Sequence, residues 1–242
     1  MLINFAGIQV DNVTLEEAEE KAEAFIISRK PHIIVTPNPE IIVTSQEDHE
    51  LRDIVNSADL RVPDGISMVV VSKILGKPLK ERVSGIDLML KLIEISAIRG
   101  YKIFLYGGSE GVAKKAALNL KAKYPALIIV GIENGFASDD SKVIEKIKKA
   151  KPDILFVGLG AGKQERWLNR HLKELDVPVG MVIGGSMDVI SGLKKRAPVW
   201  MQKMKIEWLY RLVTEPSRWK RQLALPKFLY LTLFKNVIKS KL

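Results

Sequence analysis

The 242-residue sequence contains no cysteine, so it can form neither a disulfide framework nor a cysteine-based metal site. It also lacks any uninterrupted run of 18 or more apolar residues, and we predict no membrane-spanning helix. The N-terminus has neither the basic region nor the apolar run of a signal peptide, so we expect none. Asp-x-Asp is absent and the histidines His32, His49 and His171 are scattered, which predicts no metal site.

Positive charge is present in excess, and its position is informative. The chain carries a net charge of +10. Residues 195–242 hold twelve Lys or Arg and two Glu, whereas residues 1–194 hold 26 basic and 26 acidic side chains. Three of the four tryptophans also lie in this last segment. A neutral body followed by a basic, aromatic segment predicts an anionic partner, either nucleic acid or anionic lipid.

Short β-branched segments alternate with amphipathic helical stretches through the first 194 residues. Two helix starts carry capping signals: Thr14 with Glu17 forms a capping box, and Asn38 precedes Pro39. Strands are expected at His32–Thr36, Leu60–Pro63, Lys102–Tyr106, Leu127–Gly131, Ile154–Gly158 and Val179–Ile183. This alternation predicts the α/β class, with a Rossmann-like, mostly parallel sheet covered by helices on both faces.

We therefore divide the chain into a Rossmann-like domain, residues 1–194, and a basic helical C-terminal appendage, residues 195–242. Within the appendage, Trp200–Val213 is helical in pattern and Phe228–Ile238 is mostly apolar. Short amphipathic helices rich in Lys and Arg are typical of a membrane interface. A basic bundle that packs on the sheet or forms oligomers is the alternative. The dense apolar run favours lipid over nucleic acid.

Three turns that follow predicted strands are rich in glycine. In a parallel sheet such turns lie at the carboxyl ends of the strands, where ligands bind, and glycine lets the backbone approach a phosphate. Three of them together favour a nucleotide or sugar-phosphate site over plain tight turns. A P-loop is excluded because Gln164, and not Ser or Thr, follows Lys163 and the glycines are wrongly spaced. The dinucleotide fingerprint is not matched, because Lys163 stands where its last glycine belongs. The glycines concerned are Gly107, Gly108, Gly158, Gly160, Gly184 and Gly185.

Several polar residues near these turns have both a structural and a functional interpretation. Asp64 ends a predicted strand before a helix, so the pattern itself favours an N-cap, with a general base as the alternative. Thr36 and Asn38 belong either to a rigid strand exit or to a polar rim that binds a sugar. Arg82 is either solvated or a phosphate contact. Gln164 opens a helix directly after a glycine-rich turn, on the expected ligand side.

Blocks spread over nearly the whole chain resemble the WecG/TagA/CpsF glycosyltransferases, glycosyltransferase family 26. Two departures affect turn geometry: Pro39 stands where the family commonly has alanine, and Gly162 where it commonly has proline. The matching blocks, in order, are Thr36–Glu40, Pro63–Gly65, Glu81–Asp87, Tyr106–Gly108, Pro152–Gly160, Lys163–Glu165, Gly184–Asp188, Arg196–Pro198 and Glu207–Leu212.

The resemblance implies an inverting, metal-independent transferase without a cofactor that acts on undecaprenyl-diphosphate-linked sugars. One branch of the family transfers N-acetylmannosamine from its UDP-sugar to lipid-linked N-acetylglucosamine, with a β-1,4 linkage, in wall teichoic acid synthesis. The alternatives are a sister enzyme that uses another donor sugar, such as UDP-N-acetylmannosaminuronic acid, and a basic nucleic-acid-binding module. We expect a peripheral protein on an anionic membrane surface, at the cytoplasmic face, without nucleic acid; homo-oligomerisation stays open.

The resemblance also implies roles for individual residues. Asp64 is the expected base. The remaining expected contacts are the polar residues Thr36, Asn38 and Gln164, the phosphate-binding arginines Arg82, Arg211, Arg218 and Arg221, the glycines of the three turns, and Asp188.

Overall fold

The computed structural model describes residues 1–136, 140–204, 206–215, 219 and 223–233. Within these residues, six parallel strands form one sheet: β3 (His32–Val35), β4 (Leu60–Arg61), β5 (Lys102–Gly107), β6 (Ile128–Glu133), β7 (Ile154–Gly158) and β8 (Val179–Val182). Their order is β4-β3-β8-β7-β5-β6. The predicted α/β class with a Rossmann-like parallel sheet is confirmed.

The central strands are apolar on both faces, as a sheet covered on both sides requires. Consecutive residues of β5 alternate between two cores: Phe104 packs with one buried cluster and Leu105 with the other. In β7, Leu155 and Phe156 alternate in the same way. Each strand therefore contributes to two separate apolar layers.

Helices cover both layers, which confirms the prediction. The helices are α1 (Leu15–Ser28), α2 (Pro39–Thr44), α3 (His49–Ser57), α4 (Ile66–Ile74), α5 (Gly85–Arg99), α6 (Val112–Lys123), α7 (Asp140–Ala150), α8 (Lys163–Leu175) and α9 (Ser186–Ile190). Buried residues of α2, α3, α4, α7 and α8 join the cluster that contains Phe104. Those of α1, α5, α6 and α9 join the other.

Local capping signals start the helices where the sequence places them. Thr14 and Glu17 exchange both hydrogen bonds of a capping box at α1. Asn38 Oδ1 accepts a hydrogen bond from Ile41 N at 3.0 Å, with Pro39 as the first residue of α2. Side-chain caps satisfy N–H groups that a helix cannot satisfy itself, so they fix its first turn.

An N-terminal hairpin was not predicted from the sequence. Its strands β1 (Leu2–Phe5) and β2 (Ile8–Asp11) pair antiparallel. Phe5 and Ile8 are fully buried. Asp11 Oδ2 accepts hydrogen bonds from Arg61 N and Nε, which ties the hairpin to the edge strand β4.

The C-terminal helices differ from the expectation in one respect and are integrated with the body. They are α10 (Val199–Lys203), α11 (Glu207–Thr214) and α12 (Ala224–Leu233). A single helix over Trp200–Val213 is wrong, because Ile206 N donates to Met201 O at 3.0 Å and the helix is interrupted there. Phe228 of α12 is fully buried in the cluster of Phe104. The division at residue 194 stays a prediction.

Across the described part of the chain, each helix is too short or too polar to cross a bilayer.

Candidate active site

A cavity of about 360 Å³ opens at the carboxyl ends of the strands. The chain leaves β5 towards β6 and leaves β7 towards β8, in opposite directions along the sheet, so the strand order reverses between β5 and β7. Open α/β sheets bind ligands at such a switch point. The predicted site residues that line the cavity are Thr36, Asn38, Asp64, Arg82, Gly108, Gly158, Gly160, Gln164, Gly184, Gly185 and Asp188.

The glycine-rich turns lie against one another at the ends of adjacent strands. Gly108 N donates to Gly158 O at 3.1 Å. A Cβ atom on Gly107 would lie 2.2 Å from Gly158 O, and one on Gly158 would lie 2.8 Å from Gly184 O. Glycine is therefore required by the close approach of three backbones. Gly107 is buried beneath the wall and does not line the cavity, whereas its neighbour Gly108 does.

Asp64 is a carboxylate at the cavity wall and not the cap of the following helix. The N-cap of α4 is Gly65, which supplies no side-chain hydrogen bond, so the N-cap interpretation is wrong. Asp64 Oδ2 instead accepts from Gly85 N at 3.3 Å, at the N-terminus of α5. The positive end of that helix therefore lies beside the carboxylate. A carboxylate with 30% of its side chain exposed can accept a proton from a bound hydroxyl.

Arg82 is the cation closest to Asp64 among the residues that line the cavity. Its Nε lies 3.5 Å from Asp64 Oδ1 and its Nη2 lies 3.5 Å from Glu207 Oε2. Burial alone lowers the pKa of Arg82, but the carboxylates of Asp64, Glu207 and Asp87 together raise that pKa above its ordinary value. The guanidinium therefore stays charged at the cavity wall.

The amide side chains at the wall hold the turns in place. Gln164 is buried, its Oε1 accepts from Gly184 N at 3.1 Å, and its Nε2 donates to Glu165 Oε1 at 3.0 Å. It thereby connects the turn after β7 to the turn after β8. Asn38 lines the cavity and caps α2, which confirms its structural role, and its binding of a sugar stays a prediction. Thr36 packs against Gly85, where an added Cβ would lie 3.2 Å from Thr36 Cγ2.

Several charged residues of the cavity wall were missed from the sequence, among them Glu165, Lys194 and Glu215. Glu165 is 3% exposed, and burial raises its pKa although Gly162 N donates to its Oε2 at 2.6 Å. Lys194 Nζ lies 3.2 Å from Asp188 Oδ2 and 3.0 Å from Glu215 Oε2. Glu165 belongs to the family block Lys163–Glu165, but only its burial in the structure distinguishes it as a residue of the site. Nothing local in the sequence brings Lys194 to Glu215.

Residues of the appendage that were not predicted reach the cavity. Lys195 and Glu215 line it, and Glu207 lies behind the wall against Arg82. Arg211 lies on α11 but its side chain is not described, and Arg218 and Arg221 lie outside the described residues. The phosphate contacts of these three arginines stay predictions.

Within the described ranges, His, Asp and Glu form no group of three or more that could hold a metal ion. Metal independence stays a prediction.

The geometry of the cavity indicates a class of protein. A glycine-walled cavity at the switch point of a parallel sheet, with a carboxylate at a helix N-terminus and an arginine beside it, suits a phosphate-linked substrate and proton abstraction. A family model described as "Glycosyl transferase WecG/TagA/CpsF family" matches residues 3–242. The chain belongs to this glycosyltransferase family, and the resemblance seen in the sequence is confirmed.

Curated relatives carry a more specific name. One from Bacillus subtilis is 38% identical over 211 residues, which cover 86% of this chain and 81% of the relative. Another, from Staphylococcus aureus (strain NCTC 8325 / PS 47), is 34% identical over 230 residues, covering 94% and 91%. A third, from Bacillus spizizenii, is 38% identical over 206 residues, covering 84% and 79%. All three are named N-acetylglucosaminyldiphosphoundecaprenol N-acetyl-β-D-mannosaminyltransferase.

Proposed function

We propose that this chain transfers N-acetylmannosamine from UDP-N-acetylmannosamine to N-acetylglucosamine on undecaprenyl diphosphate, with a β-1,4 linkage, in the linkage unit of wall teichoic acid. One observation carries the proposal: relatives of this name match at 34–38% identity over at least 79% of their own length. The cavity supports it, because the base and a phosphate-binding cation of such a reaction are adjacent there.

The reaction is a single displacement with inversion. Asp64 takes the proton of the acceptor's 4-hydroxyl while that oxygen forms a bond to the anomeric carbon of the donor. The bond from this carbon to the UDP oxygen breaks on the opposite face, and UDP leaves with the electron pair. General-base catalysis of this kind contributes roughly 10²–10⁴-fold to the rate.

The charge that develops on the departing diphosphate must be stabilised by the protein in the absence of a metal. Arg82, Lys194 and Lys195 line the cavity and supply positive charge, and the glycine turns bring backbone N–H groups close to it. Donors placed in advance around a developing anion stabilise the transition state without reorganisation. Arg211, Arg218 and Arg221 are proposed to add to this set.

The appendage, residues 195–242, is proposed to hold the enzyme peripherally at the cytoplasmic face of an anionic membrane. Large apolar side chains of α10 and α11 are exposed, including Trp200 at 58% and Trp208 at 43%. Aromatic residues beside lysine and arginine suit an interface, where each nearby basic residue contributes about 1 kcal/mol. A nucleic-acid-binding role predicts steep salt dependence of RNA or DNA affinity and no sugar transfer.

A donor screen tests the proposed reaction. The purified chain is mixed with a short-chain lipid-diphosphate N-acetylglucosamine acceptor and several UDP-sugars, and UDP release is measured. We expect turnover with UDP-N-acetylmannosamine that requires the acceptor. Preference for UDP-N-acetylmannosaminuronic acid would establish the sister activity instead. UDP release that is independent of the acceptor would reject the transfer reaction.

A further inference from the structure

The appendage places a buried carboxylate behind the catalytic wall. Glu207 is the first residue of α11 and is 3% exposed. It belongs to a segment in which only two of 48 residues, Glu207 and Glu215, are acidic. An amphipathic helix that only lay on a membrane would keep such a carboxylate in water, because burying a charge is costly unless cations compensate it.

Two arginines compensate Glu207 and connect it to Asp64. Glu207 Oε2 lies 3.5 Å from Arg82 Nη2, and Arg82 Nε lies 3.5 Å from Asp64 Oδ1. On the other side, Glu207 Oε1 lies 3.7 Å from Arg196 Nε, and Arg196 Nη2 lies 2.6 Å from Asp87 Oδ1. Negative and positive groups therefore alternate from Asp64 to Asp87; these five side chains are called the charge chain below.

The charge chain closes on the second oxygen of Asp64. Asp87 Oδ2 accepts from Ser84 Oγ at 2.7 Å, and Ser84 caps α5 by accepting from Asp87 N. Gly85, the first residue of α5, donates its N–H to Asp64 Oδ2. Both oxygens of Asp64 are thus held. Arg82, itself paired with Glu207, holds one oxygen. The start of α5 holds the other, and Arg196 and Asp87 connect this start to the same Glu207.

We propose that Glu207 is a positioning residue for Asp64, acting through Arg82 and, by way of Arg196 and Asp87, through the N-terminus of α5. The inference rests on the proposed function, because it takes Asp64 as the base. Glu207 holds the Arg82 guanidinium between two carboxylates, so this cation does not close fully onto Asp64. Nε of Arg82 and Nε of Arg196 are buried without a hydrogen-bond partner among the described residues, so these two atoms interact with the neighbouring carboxylates through charge. Arg82 Nη2 in addition donates a hydrogen bond to Glu207 Oε2 at 3.5 Å.

This arrangement makes correct docking of α11 a condition for catalysis. If α11 leaves the body, Arg82 loses one of its two close carboxylates and Asp64 becomes its nearest remaining partner. The base is then paired with the cation and displaced from its productive position. Misplacement of a catalytic group by about 1 Å costs on the order of 100-fold in rate.

The variant Glu207→Gln tests the proposal, since it keeps the side-chain shape and removes the charge. We expect kcat at saturating acceptor to fall about 10- to 100-fold. The losses from Glu207→Gln and Arg82→Gln should not multiply: the double variant should be slower than Arg82→Gln by less than the full loss of Glu207→Gln, because part of the effect of Glu207 is transmitted through Arg82. Glu47→Gln is the matched control. It removes an exposed ion pair between the body and Lys227 of α12, and kcat should be unchanged.

The outcomes separate this inference from the proposed function. A wild-type enzyme that transfers no sugar would remove both. The inference alone would be overturned if the wild type is active and Asp64→Asn is inactive, but Glu207→Gln has a normal kcat. It would also be overturned if the loss in Glu207→Gln multiplies with that of Arg82→Gln. A defect confined to the acceptor KM, which indicates only an anchor for α11, would overturn it as well. If Glu207→Gln fails to fold by its thermal unfolding curve, Arg196→Gln, with its side chain 21% exposed, must show the same kcat loss.

Discussion

The body and the C-terminal appendage both bring charged residues to the cavity that their net charges do not indicate. The body is neutral overall, yet it supplies Arg82 and Lys194 to the wall. The appendage carries all of the net positive charge, yet both of its acidic residues contact those same cations: Glu207 pairs with Arg82, and Glu215 with Lys194. Net charge thus describes a segment's partner class, whereas individual contacts follow from burial and pairing.

The appendage is itself heterogeneous. Phe228 is fully buried beside Phe5, at 6.1 Å between ring centroids, whereas Trp200 and Trp208 are exposed. Helix α12 is therefore part of the core, and α11 places Glu207 behind the cavity wall. The exposed aromatic residues of α10 and α11 are available for the proposed membrane interface. Removing the whole appendage would mix these three roles, so single substitutions separate them better.

Asp64→Asn should have the largest effect on kcat, and it tests whether the body supplies the catalytic base. Asparagine cannot accept the proton, so we expect kcat to fall roughly 10²–10⁴-fold. The thermal unfolding midpoint should change little, because Asp64 does not cap α4. The measurement is UDP release at saturating donor and acceptor. A variant that folds normally and turns over at the wild-type rate would show that the base lies elsewhere.

Phe228→Ala should be the most destabilising of the substitutions proposed for the appendage. Truncation of a fully buried phenylalanine costs about 3–5 kcal/mol through lost burial and a residual cavity. Chemical denaturation measures the free energy of unfolding. Tyr230→Ala, at an exposed position of the same helix, is the control and should change stability by less than about 1 kcal/mol. Equal effects at the two positions would contradict the integration of α12 into the core.

Gly158→Ala tests whether the body's turns need their close approach. The added Cβ would lie 2.8 Å from Gly184 O, and overpacking of this kind costs about 1–3 kcal/mol. Gly185→Ala is the control, since its Cβ would meet nothing closer than 3.5 Å and its φ is −87°. Calorimetric titration with UDP should show weaker binding for the first variant only. An unchanged affinity would mean that this wall does not contact the nucleotide.

Replacing Trp200 and Trp208 together with serine tests the exposed part of the appendage. Partial burial of a large aromatic side chain at an interface contributes on the order of 1 kcal/mol, so partition onto anionic vesicles should weaken about fivefold or more. Co-sedimentation measures the partition, and Ile98→Ser is the control for an exposed apolar residue on the body. If both variants bind vesicles like the wild type, the membrane surface lies elsewhere.

The smallest effect is expected from Glu165, whose carboxylate contrasts with the arginine-paired Glu207. Burial raises the pKa of Glu165, so the folded protein keeps this proton to a higher pH than the unfolded chain does. Stability from this group is therefore present at acidic pH and declines as pH rises above its ordinary value of 4.5. The unfolding midpoint of wild type minus that of Glu165→Gln should decrease between about pH 4 and 7. A difference that rises over this range would contradict the assignment.

Local chemistry made much of the fold and part of the site predictable. Strands β5 and β7 are apolar on both faces, so their period and glycine ends mark a covered parallel sheet. The capping residues Thr14, Asn38 and Ser84 fix helix starts through bonds within three residues. The hairpin β1–β2 escaped prediction because no helix separates its two strands, and the alternation of strands with helices is what marked the strands of the sheet.

The sequence by itself determined the sheet, the helix starts, the glycine-lined strand ends, the family and the residue types of the reaction. All of these depend on neighbours in the chain or on blocks that recur within a family. Only the tertiary structure decided that Asp64 accepts a hydrogen bond from Gly85 instead of capping the helix that follows it. Only the tertiary structure, too, placed Phe228 in the core and Glu207 between Arg82 and Arg196. Asp64 and Gly85 are 21 residues apart, and Arg82 and Glu207 are 125 apart. No local pattern records which distant charges the packing of helices on a sheet will bring together.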